Sequence, residues 1–196
     1  MEKTRIEKQF AFLEEIDKEK NVFRQTYLAD ANRKENDAEH SWHLAMMVML
    51  MSEYANEPID VGHTMEMVLI HDLIEIDAGD TYAYDTEGNK TKRERELKAA
   101  DRLFNMLPDD QAKKLRALWD EFEEKQTPES KFANSMDKIQ PLMLNNASGG
   151  LAWREHGIFR NQVYERNAKT GEGTKAMWEY ADENFIRPNI RKGNLK

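Results

Sequence analysis

The chain has 196 residues, 39% hydrophobic and 34% charged, with a net charge of −8 and no cysteine. That length buries a core without staples, and the composition excludes a disordered tract, a disulfide framework and a thiolate zinc site. The acidic balance argues against nonspecific nucleic-acid binding and against docking on anionic membranes. It leaves an anionic small substrate open, because a bound divalent cation and local arginines invert the potential inside a cleft.

The opening stretch MEKTRIEKQFAFLEEIDKEK is charged throughout and has no apolar centre, so no secretory leader is expected. Residues 3–19 read as a helix with Ile6, Phe10, Leu13 and Ile16 or Asp17 on one stripe. Asn21 to Asn36 read as a turn-rich connection. A helix starts near Asp37, taken as its N-cap, and runs to about Ala55, where Glu57-Pro58 breaks the pattern. It contains the longest apolar run, Leu44 to Met51, which is too short to span a membrane. A cytoplasmic protein is the expectation.

Asp60 caps a helix over about 61–76, and Ala78-Gly79 ends it. Residues 80–89 form a polar loop. Helices follow over 90–107 and over 109–125, with Pro108 at a first-turn position. Thr127-Pro128 opens another, to about Asn146, and Ser148-Gly149-Gly150 stops it. Helical regions at 151–169 and 174–186 flank Gly171–Gly173, and Pro188 with a basic tail closes the sequence. No strand alternation of useful length appears. The fold class is all-α: one compact domain over 1–196, with seven or eight helices.

The segment MVLIHDLIEI is apolar almost all round and should be buried, yet it carries His71, Asp72 and Glu75. Buried carboxylates are costly unless paired or bound to a metal. Adjacent helical positions diverge by roughly 100°, so His71 and Asp72 can still reach one ion between them. Glu75 lies one turn on, on the same side. His40, in AEHSWHLAMM, and Asp137, in FANSMDKIQPL, are further ligand candidates. On residue types alone, a structural network pairing His40 with Glu39, or His71 with Asp72, accounts for these groups as well as a metal does. His43, His63 and His156 read as structural.

The order of these elements is what resembles a known family. A His, then a His-Asp pair about thirty residues later in a buried helix, then an Asp on a later helix, resembles the HD-domain superfamily of metal-dependent phosphohydrolases. The stretches RKENDAEHSWHLAMM, LIHDLIEIDAGD, KRERELKAADRLFNMLP and LRALWDEFEEKQTPESKFANSMDKIQPL are similar to its branch containing the bacterial 5′-deoxynucleotidases and related HD-domain-containing proteins. The resemblance covers roughly residues 20–145.

The resemblance implies that His40, His71, Asp72 and Asp137 hold one divalent ion. With no sulfur ligand, Mn, Co, Mg, Fe, Ni and Zn are all candidates. It implies that Glu75 orients or deprotonates the attacking water beside Asp72. It also implies that Asp80 holds a nucleotide sugar and that Arg24 contacts the phosphate or its surroundings. Arg33 and Lys34, nearby in sequence, are candidates for countering further negative charge, and Tyr82 and Tyr84 for walling a base. In the deoxynucleotidases a tryptophan follows the arginine, where this chain has Gln25, and Thr81-Tyr82-Ala83-Tyr84 replaces a proline-bearing loop. Both departures touch the sugar pocket and leave the metal chemistry intact.

The function so implied is hydrolysis of nucleoside 5′-monophosphates by metal-activated water, in a protein that commonly dimerises and binds neither nucleic acid nor membrane. Alternatives are another phosphate ester (a nucleoside triphosphate, a cyclic nucleotide or an alarmone) at the same site, or a non-catalytic metal- or nucleotide-binding module. Residues 146–196 match no functional motif.

Overall fold

Capping chemistry sets the first helix. In this computed structural model, which describes residues 3–85 and 87–196, α1 (Arg5–Ile16) begins on a capping box. The Glu7 amide donates to the Thr4 hydroxyl, and the Glu7 carboxylate accepts from the Thr4 amide at 2.7 Å. The stripe expected on this helix exists but faces outward. Ile6, Phe10 and Leu13 are 60%, 60% and 56% exposed, and Phe12 is the residue that α1 buries.

The expected turn-rich connection holds a small antiparallel hairpin, β1 (Phe23–Tyr27) with β2 (Lys34–Asn36), pairing Phe23 with Asn36 and Tyr27 with Lys34. Two strands of five and three residues leave too little alternation to detect in sequence. The hairpin delivers Arg24 and Glu35 to the interior.

Helix α2 (Asp37–Met51) is capped by Asn36, one residue before the expected position. The Asn36 side chain accepts from the Glu39 amide at 2.9 Å. Asp37 is thereby freed from capping and is fully buried. Asp60 caps α3 (Val61–Ile70) as expected, but the helix does not run on to residue 76. At His71–Ile74 the chain tightens into short turns, with the Glu75 amide bonded to the Asp72 carbonyl at 2.8 Å. A four-residue helix, α4 (Glu75–Ala78), follows and ends at Gly79, whose φ of 74° suits glycine.

The loop before α5 (Asn89–Phe104) includes Thr86, which lies outside the described residues. Pro108 is the cap residue of α6 (Asp109–Glu124), one place before the expected first turn. Thr127 caps α7 (Pro128–Ala147) with proline at its first position, as read from sequence. Pro141, inside α7, removes the amide that would bond the Asp137 carbonyl. The C-terminal regions break into α8 (Leu151–Glu155), α9 (Arg160–Arg166), α10 (Lys175–Ala181) and α11 (Arg187–Arg191). Gly173 packs so closely on α7 that a Cβ there would lie 2.3 Å from the Lys131 carbonyl oxygen.

The main core gathers α2, α3, α7 and the C-terminal helices around Leu44, Val48, Met67, Phe132 and Met136. A second core joins α1, α5 and α6 around Leu103, Phe104 and Trp119. Among the described residues the fold is helical apart from the hairpin, and no helix is long and apolar enough to cross a membrane. Phe132 is fully buried where α7 meets the main core. Phe132→Ala should cost about 3–5 kcal/mol, read as a lower denaturation midpoint in urea with an unchanged slope.

Candidate metal centre and cleft

A cleft of roughly 420 Å³ opens beside the break between α3 and α4. At its inner end the groups expected from sequence come together. Ligand-type atoms of His40, His71 and Asp72 all lie within 4.8 Å of one another. Asp137 Oδ1 stands 3.2 Å from His40 Nε2 and 3.9 Å from His71 Nε2, and Asp72 Oδ2 stands 3.1 Å from His71 Nε2. α2 supplies His40, the tight turn supplies the pair, and α7 supplies Asp137.

The donor set fits a divalent cation on its own terms. His71 Nδ1 lies 2.7 Å from the Val68 carbonyl, which can only accept, so this nitrogen carries the hydrogen. In the neutral ring the Nε2 lone pair then points towards two carboxylates, and Nε2 is buried with no hydrogen-bond partner. Acceptors facing acceptors need a proton or a cation between them. His40 is fully buried, with Nε2 hydrogen-bonded to Asp137 Oδ1 at 3.2 Å and an unpartnered Nδ1 3.5 Å from Glu35 Oε2. Nitrogen and oxygen ligands of this kind suit first-row transition metals and Mg, and a carboxylate beside a histidine is a usual partner.

Arg24 reaches into this cluster from β1. Its Nη1 donates to Asp72 Oδ2 at 2.7 Å and to Asp37 Oδ1 at 3.1 Å, and its Nη2 is 3.9 Å from Asp137 Oδ1. Glu75 opens α4 and is buried in the cleft wall, with Lys92 Nζ 3.8 Å from one carboxylate oxygen and the other unpartnered. Asp80, Tyr82 and Tyr84 also line the cleft, the two tyrosine rings meeting edge to face at 5.3 Å. Gln25 lines it too.

Arg33 does not join them. It is half-exposed, bonds the Glu39 carboxylate at 2.8 Å, and is not among the cleft-lining residues; neither is Lys34. His63 pairs with Glu121 at 2.7 Å, and His43 lies 3.2 Å from Gln140, as structural roles require. His156 lies against Tyr82, with ring centroids 4.5 Å apart and planes tilted by 39°.

Sequence reasoning missed Lys92, Arg93, Lys138 and Arg166, which bring positive charge to the cleft. Lys92 and Arg93 fall in a stretch already singled out by resemblance. Arg166 gave no signal, because only the return of α9 over the cleft puts it there.

Protonation follows from the crowding. Burial opposes the charged form of His71, but the adjacent Asp72 carboxylate outweighs burial and raises the imidazole to about 9. Burial and then the charge of Asp72 push Asp37 up to about 8, against the pull of Arg24. Burial, with Asp72, Asp80 and Asp37, holds Glu75 well above the usual carboxylate range, and Lys92 opposes this. Burial works to raise Asp72 and Asp137, yet the neighbouring imidazoles hold both low.

A family profile described as HD domain matches residues 16–178. A solved structure from Magnetospirillum magnetotacticum MS-1, described as a predicted metal-dependent phosphohydrolase, is 44% identical, with a TM-score of 0.92 over 97% of this chain and 95% of that one. The human 5′-deoxynucleotidase HDDC2 is 26% identical over 114 residues, 58% of this chain and 54% of its own. The 5′-deoxynucleotidase hdd1 of Schizosaccharomyces pombe is 26% identical over 115 residues, 56% of each. The chain thus spans about half the length of these curated relatives. A conserved hypothetical protein from Pyrococcus furiosus, 20% identical with a TM-score of 0.54 over 94% of this chain and 96% of that one, shares the fold.

Groups whose pKa is higher folded than unfolded bind protons more tightly in the folded chain, so stability falls as pH rises through the interval between the two values. For Asp37 that interval runs from 3.8 to about 8, and for His71 from 6.5 to about 9. Asp72 and Asp137 act in the opposite sense only below 3.8. The melting temperature of chelator-treated protein should therefore fall between pH 6.5 and about 9 in calorimetry. Divalent cation should bind more tightly as pH rises, because binding displaces these protons. At a hundredfold excess over its Kd the cation should stabilise the native chain by about 2.7 kcal/mol, and His71→Ala or Asp72→Ala should abolish that gain.

Proposed function

This chain belongs to the HD domain family, and from that premise we propose that it is a metal-dependent phosphohydrolase that converts nucleoside 5′-monophosphates to nucleoside and phosphate. One observation carries the reading: two imidazoles and two carboxylates from separate segments converge at the end of a cleft whose wall holds a buried glutamate. The names of the deoxynucleotidase relatives and of the Magnetospirillum structure support it.

His40, His71, Asp72 and Asp137 would hold one divalent ion, with Mn, Co, Mg, Fe, Ni and Zn all compatible and availability deciding among them. When bound, the ion supplies positive charge to the phosphoryl oxygens and lowers the pKa of water beside it. The chain's own groups do the rest. Glu75, desolvated and backed by Lys92, accepts the proton of the attacking water. Arg24 fixes Asp72 through a charge-assisted hydrogen bond and offers its remaining charge to the substrate phosphate. Asp80 accepts a hydrogen bond from the sugar, and Tyr82 and Tyr84 wall the base. Gln25, in place of a tryptophan, leaves the sugar loosely bounded, so the substrate class includes ribo- and deoxyribonucleotides.

We read residues 1–196 as one such domain, cytoplasmic and homodimeric. The outward stripe Ile6, Phe10 and Leu13 borders a groove of roughly 550 Å³ against α6, and it is the apolar face a second copy would cover.

A panel of phosphate esters with added Mn or Co, followed by released phosphate, tests the function. Nucleoside 5′-monophosphates should be turned over, and a panel with no turnover would end the reading. Glu75→Gln should keep cation-induced stabilisation while losing about 10²–10⁴-fold in kcat. A near-native rate in that variant would remove Glu75 from its role.

A further inference from the structure

Next to the cleft, the end of α6 and the middle of α7 enclose a second concavity of roughly 270 Å³. It shares Lys125, Asn134 and Lys138 with the cleft wall. Its walls hold four lysines, Lys125, Lys131, Lys138 and Lys169, against two glutamates, Glu124 and Glu172. Among the described residues, none of these ammonium groups has a carboxylate oxygen within 4.0 Å. Arg166, on the adjoining cleft wall, is likewise unpaired.

In a chain of net charge −8 such a concentration of unneutralised cations is out of character. The carbonyl end of α6 accounts for Lys125 alone. Among the described residues, Lys131, Lys138 and Lys169 have no carboxylate oxygen within 4.0 Å.

Helix α7 ties this concavity to the metal end. Asp137 and Lys138 are adjacent on it, and Lys131 lies six residues before Asp137, about 9 Å along the axis. We propose that the concavity is a second phosphoryl subsite, and that the preferred substrates carry another phosphoryl group within about 10 Å of the scissile one. The subsite stands on its own charge geometry; the word substrate rests on the phosphohydrolase reading. A nucleoside 3′,5′-bisphosphate and a nucleoside 5′-triphosphate both meet the description.

The full chain, stripped of divalent ions and dialysed free of chelator, is titrated calorimetrically with tripolyphosphate and with orthophosphate. Tripolyphosphate should bind about tenfold more tightly, and Lys131→Gln/Lys169→Gln, which alters side chains lining only the second concavity, should erase the difference. Equal binding of the two anions, or a preference that survives the double variant, overturns the subsite. In a second arm with Mn, the bisphosphate and the triphosphate should show a KM about tenfold below that of the monophosphate, and the double variant should remove this advantage. Each ester is assayed alone, and the one with the larger KM advantage marks the source. If no ester is turned over while tripolyphosphate binding behaves as stated, the hydrolase reading falls and the subsite stands. If monophosphates are turned over and the variant leaves tripolyphosphate binding intact, the subsite alone falls.

Discussion

The contact between Arg24 and the carboxylates of Asp37 and Asp72 holds the interior together. Three ionisable groups, each less than a tenth exposed, meet where the hairpin, α2 and the α3–α4 turn converge. Removing one partner from such a cluster leaves uncompensated buried charge, at a cost of about 3–5 kcal/mol. The arrangement persists because each member satisfies the others. Arg24 orients Asp72, Asp72 holds its neighbour His71, and Asp137 closes the ring against both imidazoles. Core packing around Leu44, Met67 and Phe132 fixes the three helical segments, and the charges then have one way to pair.

Much of this was legible from residue order. The caps at Asp60 and Thr127 and the proline opening α7 follow from patterns a few residues long, while the grouping of His40, His71, Asp72 and Asp137 was implied by the family resemblance that their order carries. Other features were hidden for physical reasons. MVLIHDLIEI contains no glycine or proline, so nothing in it marks the tightening at His71 that turns the pair into the cleft. Asp37 is a good capping residue by type, but Asn36 takes that role, and the buried aspartate is spent on Arg24. The stripe of α1 has helical spacing, yet spacing does not say which face meets the core. Arg166 reaches the cleft from a helix that begins more than 120 residues beyond the hairpin, a relation no local pattern encodes.

The cleft is divided by charge. Around the metal centre stand the carboxylates of Asp72 and Asp137, while the lining also carries Lys138 and Arg166, with no carboxylate oxygen within 4.0 Å among the described residues, and Lys92 and Arg93, which Glu96 and Glu123 partner. A cation at the inner end and an anion along the wall are complementary demands, and a phosphate ester answers both. The same polarity explains how a strongly acidic chain can receive an anionic ligand: the bulk field repels it, while the local wall draws it in.

The early ending of α3 has a further effect. A helix that stops at Ile70 presents its last carbonyls at the very turn bearing His71 and Asp72. The aligned peptide dipoles there amount to roughly half a negative elementary charge. Unlike a carboxylate, that charge cannot be protonated or deleted by changing a side chain. The backbone itself thus adds a fixed negative potential at the turn that carries the pair, whatever the protonation of its side chains.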